Sequence, residues 1–176
     1  MNIINNINLD KLKIVLVTIL ALFLGFQIIG FVKYGGFPGS VEYYRKLYKT
    51  ALEYQENEEY KNAYKTFNKI TPRYAAYDAV LFHQAKCAAA LGDEKTAIEK
   101  LKLLILKYPS SILVSQADYN LGQAYLRIKD YKSAKKQFKK VISKHSDTDY
   151  AIGSYYYLGQ IAKDDNLNTS VKYWLK

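Results

Sequence analysis

The sequence predicts an all-α protein: an N-terminal transmembrane helix followed by an α-solenoid of about three and a half helix-turn-helix repeats. Three observations carry that expectation. Ile14 to Val32 is a run of nineteen residues without a charge. Small residues recur beyond it at nearly even intervals: Ala51, Ala85, Gly122 and Gly159 are spaced by 34, 37 and 37 residues. Turn signals, and no strand-like alternation, separate the helical stretches between them.

The tail at residues 1–13, MNIINNINLDKLK, is short and polar. In the apolar run that follows, only Thr18 and Gln27 are distinctly polar. Its length matches the roughly 20 residues that a helix needs to cross a hydrocarbon core. A cleaved signal peptide would have an apolar core of roughly 7–15 residues and a small-x-small cleavage site, and neither is visible. No cysteine follows to carry a lipid. Residues 14–32 therefore read as an uncleaved anchor. Lys11 and Lys13 on one side and Lys33, Arg45, Lys46 and Lys49 on the other leave orientation undecided by charge. Residues 33–40, KYGGFPGS, read as a glycine-rich flexible tether, with Ser40 placed to cap the next helix.

From there to residue 176 the pattern predicts helices over about 41–57, 60–70, 75–91, 94–107, 113–128, 131–144, 148–163 and from 168 onward. The best-formed repeat begins at Ser115, counted as position 1. It places Leu121, Gly122, Tyr125, Ala134, Phe138 and Val141 at positions 7, 8, 11, 20, 24 and 27. Small residues at 8 and 20 let two antiparallel backbones approach, and the aromatics fill the flanks. The same register gives Leu47, Tyr54, Ala63, Phe67 and Ile70 around Ala51, and Leu81, Ala88, Ala97, Leu101 and Leu104 around Ala85. Tyr155, Leu158 and Ala162 surround Gly159, and that copy is cut in its second helix.

These positions identify the chain as resembling tetratricopeptide repeat (TPR) proteins, whose units stack because none can bury its apolar face alone. The 37-residue spacing and segments such as Tyr108-Pro109-Ser110-Ser111 resemble repeats of exported bacterial proteins. These include the Tol-Pal-associated cell-division coordinator, outer-membrane assembly lipoproteins and the helical solenoid of soluble lytic murein transglycosylases. The corresponding segment one repeat later departs from this pattern, since His145-Ser146 replaces Tyr-Pro. The resemblance implies a single-pass inner-membrane protein with a periplasmic or extracytoplasmic solenoid, serving as a scaffold for a protein or peptide partner in envelope assembly, division or secretion. A second reading is the front of a membrane-tethered murein transglycosylase, its catalytic domain lying beyond Lys176. An organelle import receptor with a cytosolic domain is a third.

No catalytic constellation is visible in the 176 residues, and neither a cofactor nor a metal is expected. His83 and Cys87, four apart on one helix, make at most half a metal site, and a buried thiol is the commoner use of such a cysteine. The single cysteine forbids an internal disulfide. The candidate partner groove is the face built by the first helix of each repeat. Position 5 there carries Tyr48, Phe82, Tyr119 and Tyr156, flanked by Lys86, Asn120, Gln123, Arg127 and Gln160. Rings with amide and basic neighbours suit an extended peptide or a glycan strand. Packing between repeats is the competing use of position 5. The two-carboxylate clamp of chaperone-binding TPR domains is not implied, because Tyr48 and Leu52 stand where its lysine and asparagine belong.

The formal net charge is +10, and +9 remains after the membrane segment. From Arg127 to Lys144 eight basic residues face one acid, Asp130. Anionic lipid or a cell-wall polymer fits such a strip at Lys132, Lys135, Lys136, Lys139 and Lys140. Nucleic acid is not expected, since interleaved aromatics and arginines are missing.

Overall fold

The computed structural model describes residues 9–34 and 36–165. All of its regular structure is helical: α1 (Leu9–Tyr34), α2 (Val41–Glu56), α3 (Tyr60–Phe67), α4 (Tyr77–Ala90), α5 (Glu94–Lys107), α6 (Val114–Arg127), α7 (Tyr131–Lys144) and α8 (Asp149–Asp165). The helix expected from residue 168, and most of the N-terminal tail, lie outside the described residues. The chain divides into two units, Met1–Lys49 and Thr50–Lys176.

In the first unit α1 is apolar on every side between Leu12 and Ile29. Its Thr18 hydroxyl donates to the Ile14 and Val15 carbonyls, 2.9 Å from each, so that polar group is satisfied within the helix. At 26 residues it is about 39 Å long. The stretch Leu12–Ile29 is long and apolar enough to cross a membrane. The helix runs on past Val32 to Tyr34, which shortens the expected tether. Gly36 is buried, and a Cβ there would meet Ser40 Oγ at 2.7 Å. Ser40 caps α2 as expected, accepting from the Tyr43 N–H at 3.1 Å.

The second unit is a row of helical hairpins in which each helix packs on the next, from α3 through α8. The hairpin turns share one device. Glu58, Gly92 and Lys129 adopt the left-handed conformation, with φ of 60°, 78° and 61°. The next N–H then reaches back to a carbonyl of the preceding helix: Glu59 to Tyr54, Asp93 to Ala88 and Asp130 to Tyr125, at 2.8–2.9 Å. Asp93 and Asp130 then cap α5 and α7, accepting from Thr96 and Ser133 N–H at 3.0 Å, and hydrogen bonds from the Thr96 and Ser133 side chains, with those from their N–H groups, hold both carboxyls below the ordinary aspartate pKa. α3 ends at Phe67, not near residue 70, and α4 starts at Tyr77, not near residue 75. Short turns fill the gap, in which the Lys69, Ile70, Tyr74 and Tyr77 N–H groups each reach back three residues, and Pro72, with no N–H, cannot continue a helix there.

Burial follows the repeat register. One cluster joins Leu81, Phe82 and Ala85 of α4 to Ile98, Leu101 and Leu104 of α5 and Ala117, Leu121 and Ala124 of α6. A second joins Ala134 and Phe138 of α7 to Leu158 and Ile161 of α8. At the α6–α7 contact a Cβ on Gly122 would lie 2.6 Å from Phe138 Cε1, and Phe138 is fully buried with no room to withdraw. At an open helical site Gly→Ala stabilises by about 1 kcal/mol. Gly122→Ala is expected to reverse that sign, destabilising by about 1–3 kcal/mol through overpacking. Chemical denaturation of Gly122→Ala with and without Phe138→Leu will check it, since the smaller ring partner should relieve most of the penalty.

Candidate functional site

Within the second unit, α4, α5 and α6 form a cleft of about 250 Å³. Its floor is Ala85, Ala89, Ala97 and Leu101, and its rim is Lys86, Asn120, Gln123 and Arg127. The floor is open because the small residues that let α4 and α5 approach leave little side chain above them. The structure thus brings together four of the residues expected to line a groove. Lys86 is exposed and Asn120 half-buried. Arg127 is held by the Glu94 carboxylate from α5, through Nε to Oε1 and through Nη2 to Oε2 at 2.9 Å. A guanidinium has five N–H donors, so this two-bond grip fixes its plane and leaves three. Beyond Arg127 a second depression continues along Lys129, Tyr131 and Gln160.

The aromatic positions serve differently. Phe82 is 4% exposed and belongs to the core. Tyr119 is half-buried against Phe138, Tyr150 and Tyr157, with ring centroids 5.5–6.1 Å apart. Its hydroxyl end occupies the space that Gly153 leaves open, and burial raises its pKa. Packing between repeats thus accounts for both. Tyr156 is 47% exposed, and its hydroxyl accepts from Gln160 Nε2 at 2.8 Å. Gln123 Nε2 donates to Tyr157 Oη at 2.9 Å, tying α6 to α8. Tyr48 is half-buried on α2, in the first unit.

His83 and Cys87 share a face, but they converge on an amide. His83 Nδ1 lies 2.9 Å from Gln55 Oε1, and Cys87 Sγ lies 3.7 Å from the same oxygen. Burial pushes the thiol up to about 11. It also lowers the imidazole to about 4, with the Lys86 ammonium adding to the effect. No group of three or more His, Cys, Asp or Glu among the described residues is arranged to hold a metal ion.

A polar cluster that the sequence did not reveal lies between α6 and α7. Asp118 is fully buried at position 4, where other copies carry Leu47, Leu81 and Tyr155. Its Oδ1 accepts from Gln137 Nε2 and Lys140 Nζ, each at 2.6 Å, and His145 Nε2 lies 3.2 Å from Oδ2. Lys140 is thereby turned inward, leaving the basic strip one ammonium poorer. The signal was an acid at an apolar repeat position, matched by His145 where the preceding repeat has Tyr108.

The tetratricopeptide repeat pattern matches residues 79–111 and 116–148, which are the α4–α5 and α6–α7 hairpins with their closing turns. These are tetratricopeptide repeats. Solved structures share the TPR arrangement. That of MamA has a TM-score of 0.64 at 19% identity, over 74% of this chain and 73% of that one. The Sgt2 TPR domain from Aspergillus fumigatus has a TM-score of 0.55 at 22% identity, over 73% and 77%. The kinesin-light-chain TPR-like repeats of Podosopora anserina have a TM-score of 0.64 at 13% identity, over 77% and 73%. At these identities the likeness concerns the fold alone. No curated protein sequence matches the chain.

Two outcomes follow for the buried polar groups. Lys140→Met leaves Asp118 without its ammonium and is expected to cost about 3 kcal/mol in urea denaturation, whereas Lys132→Met on the exposed side of the same helix should cost less than about 0.5 kcal/mol. For His83 the folded pKa lies below the ordinary 6.5. The unfolded chain therefore binds more protons between pH 6.5 and about 4, and stability falls as the pH drops through that window. The loss is at most about 3 kcal/mol. His83→Gln should flatten that part of the Tm-versus-pH curve.

Proposed function

We propose that this chain is a membrane-anchored TPR scaffold that holds an extended peptide segment of a protein partner along the face of α4, α6 and α8. The observation that carries the reading is the small-residue cleft rimmed by Lys86, Asn120, Gln123 and Arg127. An extended peptide exposes carbonyl oxygens at regular spacing. Asn120 and the remaining Arg127 donors can meet them, while Lys86 favours a segment with an acidic side chain or a C-terminal carboxylate. Fixing Arg127 against Glu94 lowers the conformational entropy lost on binding. Tyr156 and Gln160 extend the same face, and Phe82 and Tyr119 act beneath it as packing.

Residues 14–32 serve as the anchor in this reading, supported by the length and apolar character of α1. The solenoid is placed outside the cytoplasm, in envelope assembly, division or secretion. Support for that placement is the Tyr108-Pro109-Ser110-Ser111 turn and the 37-residue spacing shared with exported bacterial repeats. In the structure this turn is fastened by Ser111 Oγ, which donates to Asp78 Oδ2 at 2.6 Å.

The test is photo-cross-linking in intact cells from position 120 of the full chain, with a reporter active only outside the cytoplasm fused after Lys176. An active reporter and a discrete cross-linked partner, reduced about tenfold by Lys86→Glu, are expected. A silent reporter would remove the envelope placement. Cross-linking unchanged by Lys86→Glu would remove the cleft.

A further inference from the structure

We propose that the second helices of the repeats carry a separate binding site, in which the crevice between α5 and α7 takes an acidic peptide segment that inserts an aliphatic or aromatic side chain. The crevice encloses about 570 Å³ and lies on the side of the hairpins away from Arg127. Ile105, Leu106 and Tyr125 line its apolar part, while Lys102, Lys136 and Lys140 stand over it. Leu106 is 74% exposed, a large apolar side chain facing water beside a recess. The Lys102 ammonium sits 5.4 Å from the centre of the Tyr125 ring, which holds it above the apolar part instead of in bulk solvent.

Charge selects the occupant. α7 carries six lysines and no acid. Two of the acids nearby are engaged, Asp118 by Lys140, Gln137 and His145, and Asp130 by the Ser133 N–H at the start of α7. Lys140 is paired from within by Asp118, Lys102 shares the field of Asp130 at the start of α7, and the exposed Lys102 and Lys136 still present their ammonium groups at the crevice. A flat lysine strip would suit the plane of anionic headgroups. A recess with an apolar lining beneath its lysines instead requires one apolar group projecting from a backbone that bears carboxylates on either side, which is what an acidic peptide with a Leu or Phe offers. The site uses none of the cleft residues, so both faces can be occupied at once.

The test uses the full chain in phosphatidylcholine nanodiscs, panned against a random peptide library, with empty nanodiscs as the control. Enriched peptides are expected to place Asp or Glu around an aliphatic or aromatic residue. Their affinity should fall about tenfold or more in Lys102→Glu with Lys136→Glu, and likewise in Leu106→Asp. It should be unchanged in Lys86→Glu, which separates this site from the cleft. All four positions are exposed, and helical circular dichroism will show that the variants stay folded. Enrichment no greater than on empty nanodiscs, peptides without acidic bias, or equal binding to the charge-reversed chain would each overturn the proposal. So would binding to phosphatidylserine vesicles that needs Lys102 and Lys136 but not Leu106, since that would make the surface a bilayer contact.

Discussion

The contact between the Phe138 ring and the bare backbone of Gly122 sets the spacing on which the second unit depends. With no Cβ at that point, the edge of the ring lies against α6, and the two helices close to a distance that any larger residue would forbid. The consequence propagates. Phe138 then stacks on Tyr157 with centroids 5.1 Å apart, Tyr157 meets Tyr119, and Tyr119 reaches the gap at Gly153. One missing methyl group thus fixes how one hairpin meets the next.

The same closeness explains the candidate site. Alanines that allow α4 and α5 to nest also leave a shallow floor, and polar side chains of α4 and α6 stand around it. A solenoid obtains a recess without building a cavity, because its small residues are needed for packing in any case. On the other side, α5 and α7 diverge enough to leave a wider recess under lysines. The two faces differ in character: amides and a braced guanidinium on one, ammonium groups over an exposed leucine and a half-buried isoleucine on the other.

Much of the fold was legible because repetition multiplies weak signals. Ala51, Ala85 and Gly122 are individually uninformative, yet their register with Ala63, Ala97 and Ala134 determined the hairpins, and α5 and α7 begin and end as the sequence predicts. Rim residues Lys86, Asn120, Gln123 and Arg127 were legible for the same reason, since repeat position decides which way they point. Position 5 was not, because a ring there can face the groove or the next repeat, and Phe82 and Tyr119 show that neighbouring cavities such as the one at Gly153 decide the outcome. Asp118 was hidden more deeply. Its partners Gln137, Lys140 and His145 lie 19, 22 and 27 residues away, and only the fold brings them to one carboxylate.

The most direct check on the helix spacing is a nuclear Overhauser measurement on the chain from Ser40 onward, labelled at glycine and phenylalanine. Strong cross-peaks between the Gly122 α protons and the Phe138 ring protons, with the glycine signals shifted upfield by the ring, are what close nesting of α6 and α7 requires. A folded, helical protein that lacks those cross-peaks would contradict the account at its foundation.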